Sequence, residues 1–109
     1  MNTEKRFLLS DNLPELLKLI PMGTVKRVVA GGTPVCLVNL KGELIGFKDH
    51  CPHMNHPLSQ GIMNNFEEII CPLHAYRFHL RYGNEANNKC GSLSFIEVQE
   101  ENGKIYLVI

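Results

Sequence analysis

The sequence predicts an all-β fold, an antiparallel barrel or sandwich, with one short helix near residues 13–20. Three observations carry this. Short apolar runs of strand length recur from residue 24 onward, separated by Gly-containing dipeptides that suit two-residue turns. Residues 75–81 alternate between apolar and polar side chains, the period of a half-buried strand. Helical spacing occurs in one place, across Leu13, Leu16, Leu17 and Ile20.

Each element follows in order. Lys5-Arg6-Phe7-Leu8-Leu9 reads as a first strand. Ser10-Asp11-Asn12 then offers capping side chains, and Asn12 with Glu15 makes a capping-box-like pair. Pro21 ends the helix by biasing Ile20 away from helical angles. Base rates favour a helix that plugs one end of a β-core over one that docks a partner. Residues 24–30, 34–40 and 43–48 form three strands joined at Gly31-Gly32 and Lys41-Gly42, an antiparallel meander. The run 34–40 is continuously apolar, so it is expected to be buried on both faces, with Cys36 as a small core hydrophobe. Asp49-His50 leads into a loop. Residues 60–65 are turn-rich, and 66–71 form a strand that delivers Cys71. Tyr76, Phe78 and Leu80 are expected to face inward, with Arg77, His79 and Arg81 facing water. Residues 87–92 form a loop in which Cys90 is expected to be exposed. Residues 93–100 and 104–109 close the chain as a hairpin across Asn102-Gly103, a type I′ signal.

Composition limits the function. The 109 residues suit one domain, 1–109, and 44% apolar content suffices for a core. Eleven basic residues cancel eleven acidic ones, which argues against nucleic acid or an anionic membrane as partner. No apolar run is long enough for a membrane helix, and residues 1–6 lack an apolar stretch of signal-peptide length. Few cysteines remain outside the motif described next, so a reducing cytoplasm is the expected setting.

The chemistry concentrates in Cys51-Pro52-His53, then seventeen residues, then Cys71-Pro72-Leu73-His74. Each half supplies one thiolate and one imidazole. Thiolates suit zinc and iron–sulfur clusters, and imidazole suits zinc and iron. Zinc fingers pair Cys with Cys and His with His along the chain, whereas each half here is mixed. A structural zinc site nevertheless uses the same residue types, so a zinc-stabilised interaction module stands as an alternative.

This motif resembles the Rieske-type [2Fe–2S] ferredoxins and domains. The flanking Pro52, Pro57-Leu58, Gly61, Pro72 and Leu73 are similar to the family pattern as well. The resemblance implies that Cys51 and Cys71 hold one iron and that His53 and His74 hold the other. It also implies a cluster-binding lobe, about residues 49–80, inserted between strands of the base. Ala75 departs from the Gly that often follows the second ligand His. If that residue needs a positive φ, Ala costs about 1 kcal/mol there.

High-potential members of the family join an extra Cys in each ligand loop as a disulfide. His56 and Leu73 occupy those places here. Such members also donate hydroxyls to sulfur from positions that hold Tyr76 and Phe78 here. The resemblance therefore implies a low-potential protein, at roughly −150 mV. There is no dinucleotide fingerprint and no room for a mononuclear iron domain, so the chain is expected to be a carrier and not an enzyme. The expected function is soluble one-electron transfer from a flavin-type reductase to a terminal oxygenase or other oxidoreductase, such as a ring-hydroxylating dioxygenase. Met54, Pro57, Leu58 and Leu73 would form an apolar docking collar. The alternatives are a small Rieske-like subunit of a larger reductase of the nitrite-reductase type, a redox sensor using Cys90, and the zinc module.

Overall fold

The computed structural model describes residues 5–109. Residues 1–4, at the start of the segment that lacks an apolar stretch of signal-peptide length, lie outside the described residues. Among the described residues, nine strands form two antiparallel sheets, accompanied by one α-helix. β1 (Arg6–Ser10), β2 (Val25–Ala30), β3 (Thr33–Leu40), β4 (Glu43–Lys48), β8 (Phe95–Glu101) and β9 (Lys104–Val108) form a curled six-stranded half-barrel in the order β1-β9-β8-β4-β3-β2. The chain between β4 and β8 supplies a second sheet of β5 (Ile62–Met63), β6 (Glu68–Ile70) and β7 (Arg77–His79). The insertion implied by the resemblance is thus present.

The turns form where the dipeptides predict. Gly31-Gly32, Lys41-Gly42 and Asn102-Gly103 all hold positive φ, as a type I′ turn requires. They join Ala30 to Thr33, Leu40 to Glu43 and Glu101 to Lys104 across the ladders. The region 60–65 differs from the turn-rich expectation. It carries the end of a short 3-10 helix, Leu58–Gln60, and the two-residue strand β5, which pairs Ile62 with Ile70. A two-residue strand is too short for its period to be read from sequence.

Helix α1 (Leu13–Leu19) is capped by Asn12, whose side-chain oxygen accepts from Glu15 N–H at 3.2 Å. The reciprocal half of a capping box is absent because Asn12 N–H donates to Ser10 Oγ instead. Leu16 and Ile20 are buried with Val35, Leu37, Ile96, Ile105 and Leu107. The helix is a plug on the base core, as expected. Asn39 fixes its end, donating to Ile20 O at 3.0 Å and accepting from Gly42 N–H at 2.8 Å.

β3 is buried on both faces because it divides two cores. Val35 and Leu37 pack with the helix and the base strands. Cys36, Val38 and Leu40 point the other way, into a cluster with Phe47, Leu58, Ile69, Phe78, Leu80, Leu93 and the two motif cysteines, Cys51 and Cys71. The second core seats the inserted sheet on the half-barrel.

Candidate metal centre

β4 runs into the first motif loop, β6 runs into the second, and β7 leaves it. The two loops repeat one backbone pattern. Cys51 N–H donates to His56 O at 2.7 Å, and Asn55 N–H donates to Cys51 O at 2.7 Å. Cys71 N–H donates to Tyr76 O at 2.8 Å, and Ala75 N–H donates to Cys71 O at 2.9 Å. Asn55 and Ala75 both have φ 58°. The positive φ suspected at Ala75 is therefore real. The loops differ in where the histidine stands: His53 is the third residue of its loop and His74 the fourth of its own.

The structure brings the sequence-predicted residues together in pairs: Cys51 neighbours Cys71 in the second core, and His53 lies beside His74. Cys51 and Cys71 are fully buried. Burial pushes the Cys51 thiol above its ordinary pKa, the backbone N–H groups of His53 and Met54 act the other way, and neighbouring Cys71 raises it further. The imidazoles of His53 and His74 lie with ring centroids 5.1 Å apart, edge to face. His74 is exposed and His53 half-buried. His53 Nδ1 is a buried nitrogen without a hydrogen-bond partner. A buried polar atom left unpaired costs about 1–3 kcal/mol, so such atoms call for an explanation such as an ion.

Two thiols and two imidazoles suit a binuclear cluster in which each iron takes two protein ligands. The donor set, the orphaned Nδ1 and the N–H groups aimed at sulfur all fit a mixed-ligand [2Fe–2S] group.

Asp49, treated from sequence only as the lead-in to the loop, is a buried anchor of the site. Its carboxylate accepts from Ser59 N–H and Ser59 Oγ, both at 2.7 Å, from Cys36 Sγ at 3.2 Å and from Arg27 Nε at 3.0 Å. It joins the segment after the first loop to β2 and β3. Burial alone would raise its pKa, but the bonds from Ser59, Cys36 and Arg27 outweigh that and hold the carboxyl below its ordinary value. Cys36 is a core residue, as expected, but also a donor. Burial and the Asp49 carboxylate drive its thiol far above the usual range.

A third wall comes from residues 85–91. Buried Glu85 accepts from Asn87 N–H at 2.9 Å and Lys89 N–H at 3.0 Å. Cys90 is half-buried against the core that holds Cys51 and Cys71, not exposed as the polar loop suggested. Leu58 departs from the expected apolar collar. It is fully buried and cannot belong to an exposed collar, whereas Met54 and Leu73 are 56% and 42% exposed. His79 faces Tyr82 and accepts from Arg81 N–H at 3.1 Å, which makes it a turn residue.

Scaffold and donor set together define an iron–sulfur electron-transfer domain. The family model for the Rieske [2Fe–2S] domain matches residues 16–94. The 3-phenylpropionate/cinnamic acid dioxygenase ferredoxin subunit of Shigella flexneri serotype 5b (strain 8401) is 30% identical over 89 residues, 81% of this chain and 83% of that one. Further relatives of the same description match at 33% over 64 residues, and the match spans 59% of their length. Among solved structures, a chain from the complex of reduced oxygenase and oxidized ferredoxin in carbazole 1,9a-dioxygenase is 28% identical, with a TM-score of 0.69. That match covers 81% of this chain and 91% of that one. The ferredoxin of carbazole 1,9a-dioxygenase from Nocardioides aromaticivorans IC177 shares the fold at 24% identity and a TM-score of 0.73, covering 84% and 89%. The chain belongs to the Rieske [2Fe–2S] domain family, whose domain binds one [2Fe–2S] cluster. Its relatives here are ferredoxin electron carriers, not catalysts.

Proposed function

We propose that this chain is a low-potential one-electron carrier whose cluster is held by Cys51 and Cys71 on one iron and by His53 and His74 on the other. The observation that carries the reading is a pair of loops with matching backbone bonds, each with one Cys and one His, whose imidazole centroids lie 5.1 Å apart and in which His53 Nδ1 is buried and unpaired. When bound, a [2Fe–2S] group accepts and releases one electron. The protein's part is to hold that group rigidly and near the surface. Ligand loops closed by backbone bonds and seated on a buried core supply rigidity. Exposed His74 supplies access, and Met54 and Leu73 of the two loops are exposed as well.

Low potential follows from the surroundings of the sulfurs. No second cysteine pair lies in the loops, Phe78 is a buried ring with no donor, and Tyr76 turns its ring toward His53. Fewer donors to sulfur stabilise the reduced state less, which supports roughly −150 mV. The donor would be a flavin-type reductase and the acceptor a terminal oxygenase, met through a small transient interface. The acceptor follows the ferredoxin–oxygenase complex among the solved structures. No helix among the described residues is long and apolar enough to cross a membrane. Cys36 and Cys90 are free thiols, which agrees with a reducing cytoplasm.

The test is a visible spectrum with iron, sulfide and zinc analysis, then a potentiometric titration. About two irons and two sulfides per chain are expected. Colourless protein that holds zinc after attempted cluster reconstitution would overturn the reading. A clearly positive potential would overturn its low-potential part.

A further inference from the structure

The repeated loops are not equivalent in what their sixth residues do. His56 and Tyr76 play the same backbone role, each accepting the N–H of its own cysteine. Their side chains differ. Tyr76 crosses to the other loop and stacks on His53, with centroids 4.0 Å apart and planes at 27°. Among the described residues, His56 makes no matching contact with His74. Tyr76 also lies 6.4 Å from His74, so three rings gather at the tip. Lys89 Nζ stands 5.9 Å from the Tyr76 centroid, and the Lys89 backbone N–H donates to Glu85.

We propose that Tyr76 is a positioning residue for His53, fixing the plane of its imidazole and closing one face of it to water. The inference rests on the reading of His53 as a ligand and adds a residue that the motif does not contain. The physical basis is local. His53 is carried on a loop, and a loop side chain is free to rotate unless something packs on it. Its Nδ1 is turned inward and buried, and the opposing force against rotation is the Tyr76 face. An offset aromatic pair contributes about 0.5–1.5 kcal/mol beyond its buried area. The contact is made by the ring, so the hydroxyl is dispensable. Removing the ring admits water beside the site, and a wetter surrounding favours the more negative, reduced form.

The experiment compares wild type, Tyr76→Phe and Tyr76→Leu. Iron and sulfide content of the wild type comes first. A wild type that cannot be loaded overturns the reading of the site and this inference with it. In loaded protein, the EPR spectrum after dithionite reduction, the reduction potential and the rate of iron release to a chelator are then measured. Tyr76→Phe should match wild type in all three. Tyr76→Leu should show broadened EPR lines, a raised potential and iron release about two- to tenfold faster, the factor that the stacking energy corresponds to. A leucine variant identical to wild type overturns the inference while leaving the cluster reading intact. So does a phenylalanine variant that departs as far as leucine, since the hydroxyl would then be the acting group. If the leucine variant does not fold, ring-to-ring NOEs between His53 and Tyr76 in metal-free wild type decide. Their presence supports the stack in solution, and their absence overturns it.

Discussion

Asn55 and Ala75 hold the same left-handed backbone, φ 58° in both, each four residues after the cysteine of its loop. The conformation lets the N–H of each return to its cysteine carbonyl and close the loop. Asn tolerates this region because its short polar side chain can bond locally, whereas Ala pays the Cβ clash. Ala75→Gly is expected to stabilise the protein by about 0.5–1 kcal/mol, and Asn55→Ala to cost a similar amount. Urea unfolding of the metal-free protein measures both.

Gly61 is constrained by space. Its φ of −85° suits any residue, but a Cβ there would overlap the carbonyl oxygen of Ile70, which is backbone and cannot swing aside. Gly61→Ala should cost about 1–3 kcal/mol. Because Ile70 leads directly into Cys71, iron content per chain should fall as well. Gly91→Ala, where a Cβ meets nothing closer than 4.0 Å, serves as the control and should stay within about 0.5 kcal/mol.

Asp49 ties the first loop to the half-barrel through bonds to Ser59, Cys36 and Arg27. Its side chain is 1% exposed, and Arg27 is 51% exposed. Most of its worth therefore lies in the buried bonds to Ser59, since the half-exposed guanidinium is screened by water. Asp49→Ala should cost about 2–4 kcal/mol in thermal or urea unfolding, because Ser59 N–H loses its carboxylate acceptor. Arg27→Ala should cost about 1 kcal/mol or less. Equal costs for the two variants would contradict this division.

Glu85 should give the fold an acid-sensitive component. Burial raises its pKa, but N–H groups of Lys89, Asn87 and Arg77, together with the Lys89 charge, outweigh it and hold the carboxyl below its ordinary value of 4.5. A depressed native pKa means that the unfolded chain binds the proton more tightly. The contribution is complete above about pH 4.5 and is lost as pH falls through the native value. Glu85→Gln should therefore be destabilising at pH 7. The gap to wild type should narrow below pH 4.5, as followed by unfolding midpoints across pH.

The helix, the three type I′ hairpins and the doubly buried β3 were legible because their signals are local. Asn12, the Gly-containing dipeptides and the run 34–40 each act on neighbours a few residues away. The two loops were legible as well, since each keeps its Cys and His close together in the chain and closes through local backbone bonds. β5 was not legible, because two residues carry no period and it forms only by pairing with β6.

By itself, then, the sequence determined the β architecture, the plugging helix and the two Cys/His loops, all of which depend on short-range spacing and backbone preference. Only the tertiary structure decided that Asp49 gathers partners 10, 13 and 22 residues away, that Leu58 is buried beneath the tip, and that Tyr76 lies on His53. Those contacts arise when the inserted sheet seats on the half-barrel. Their energies come from desolvated pairs that do not exist until the two cores close, so no local pattern in the chain encodes them.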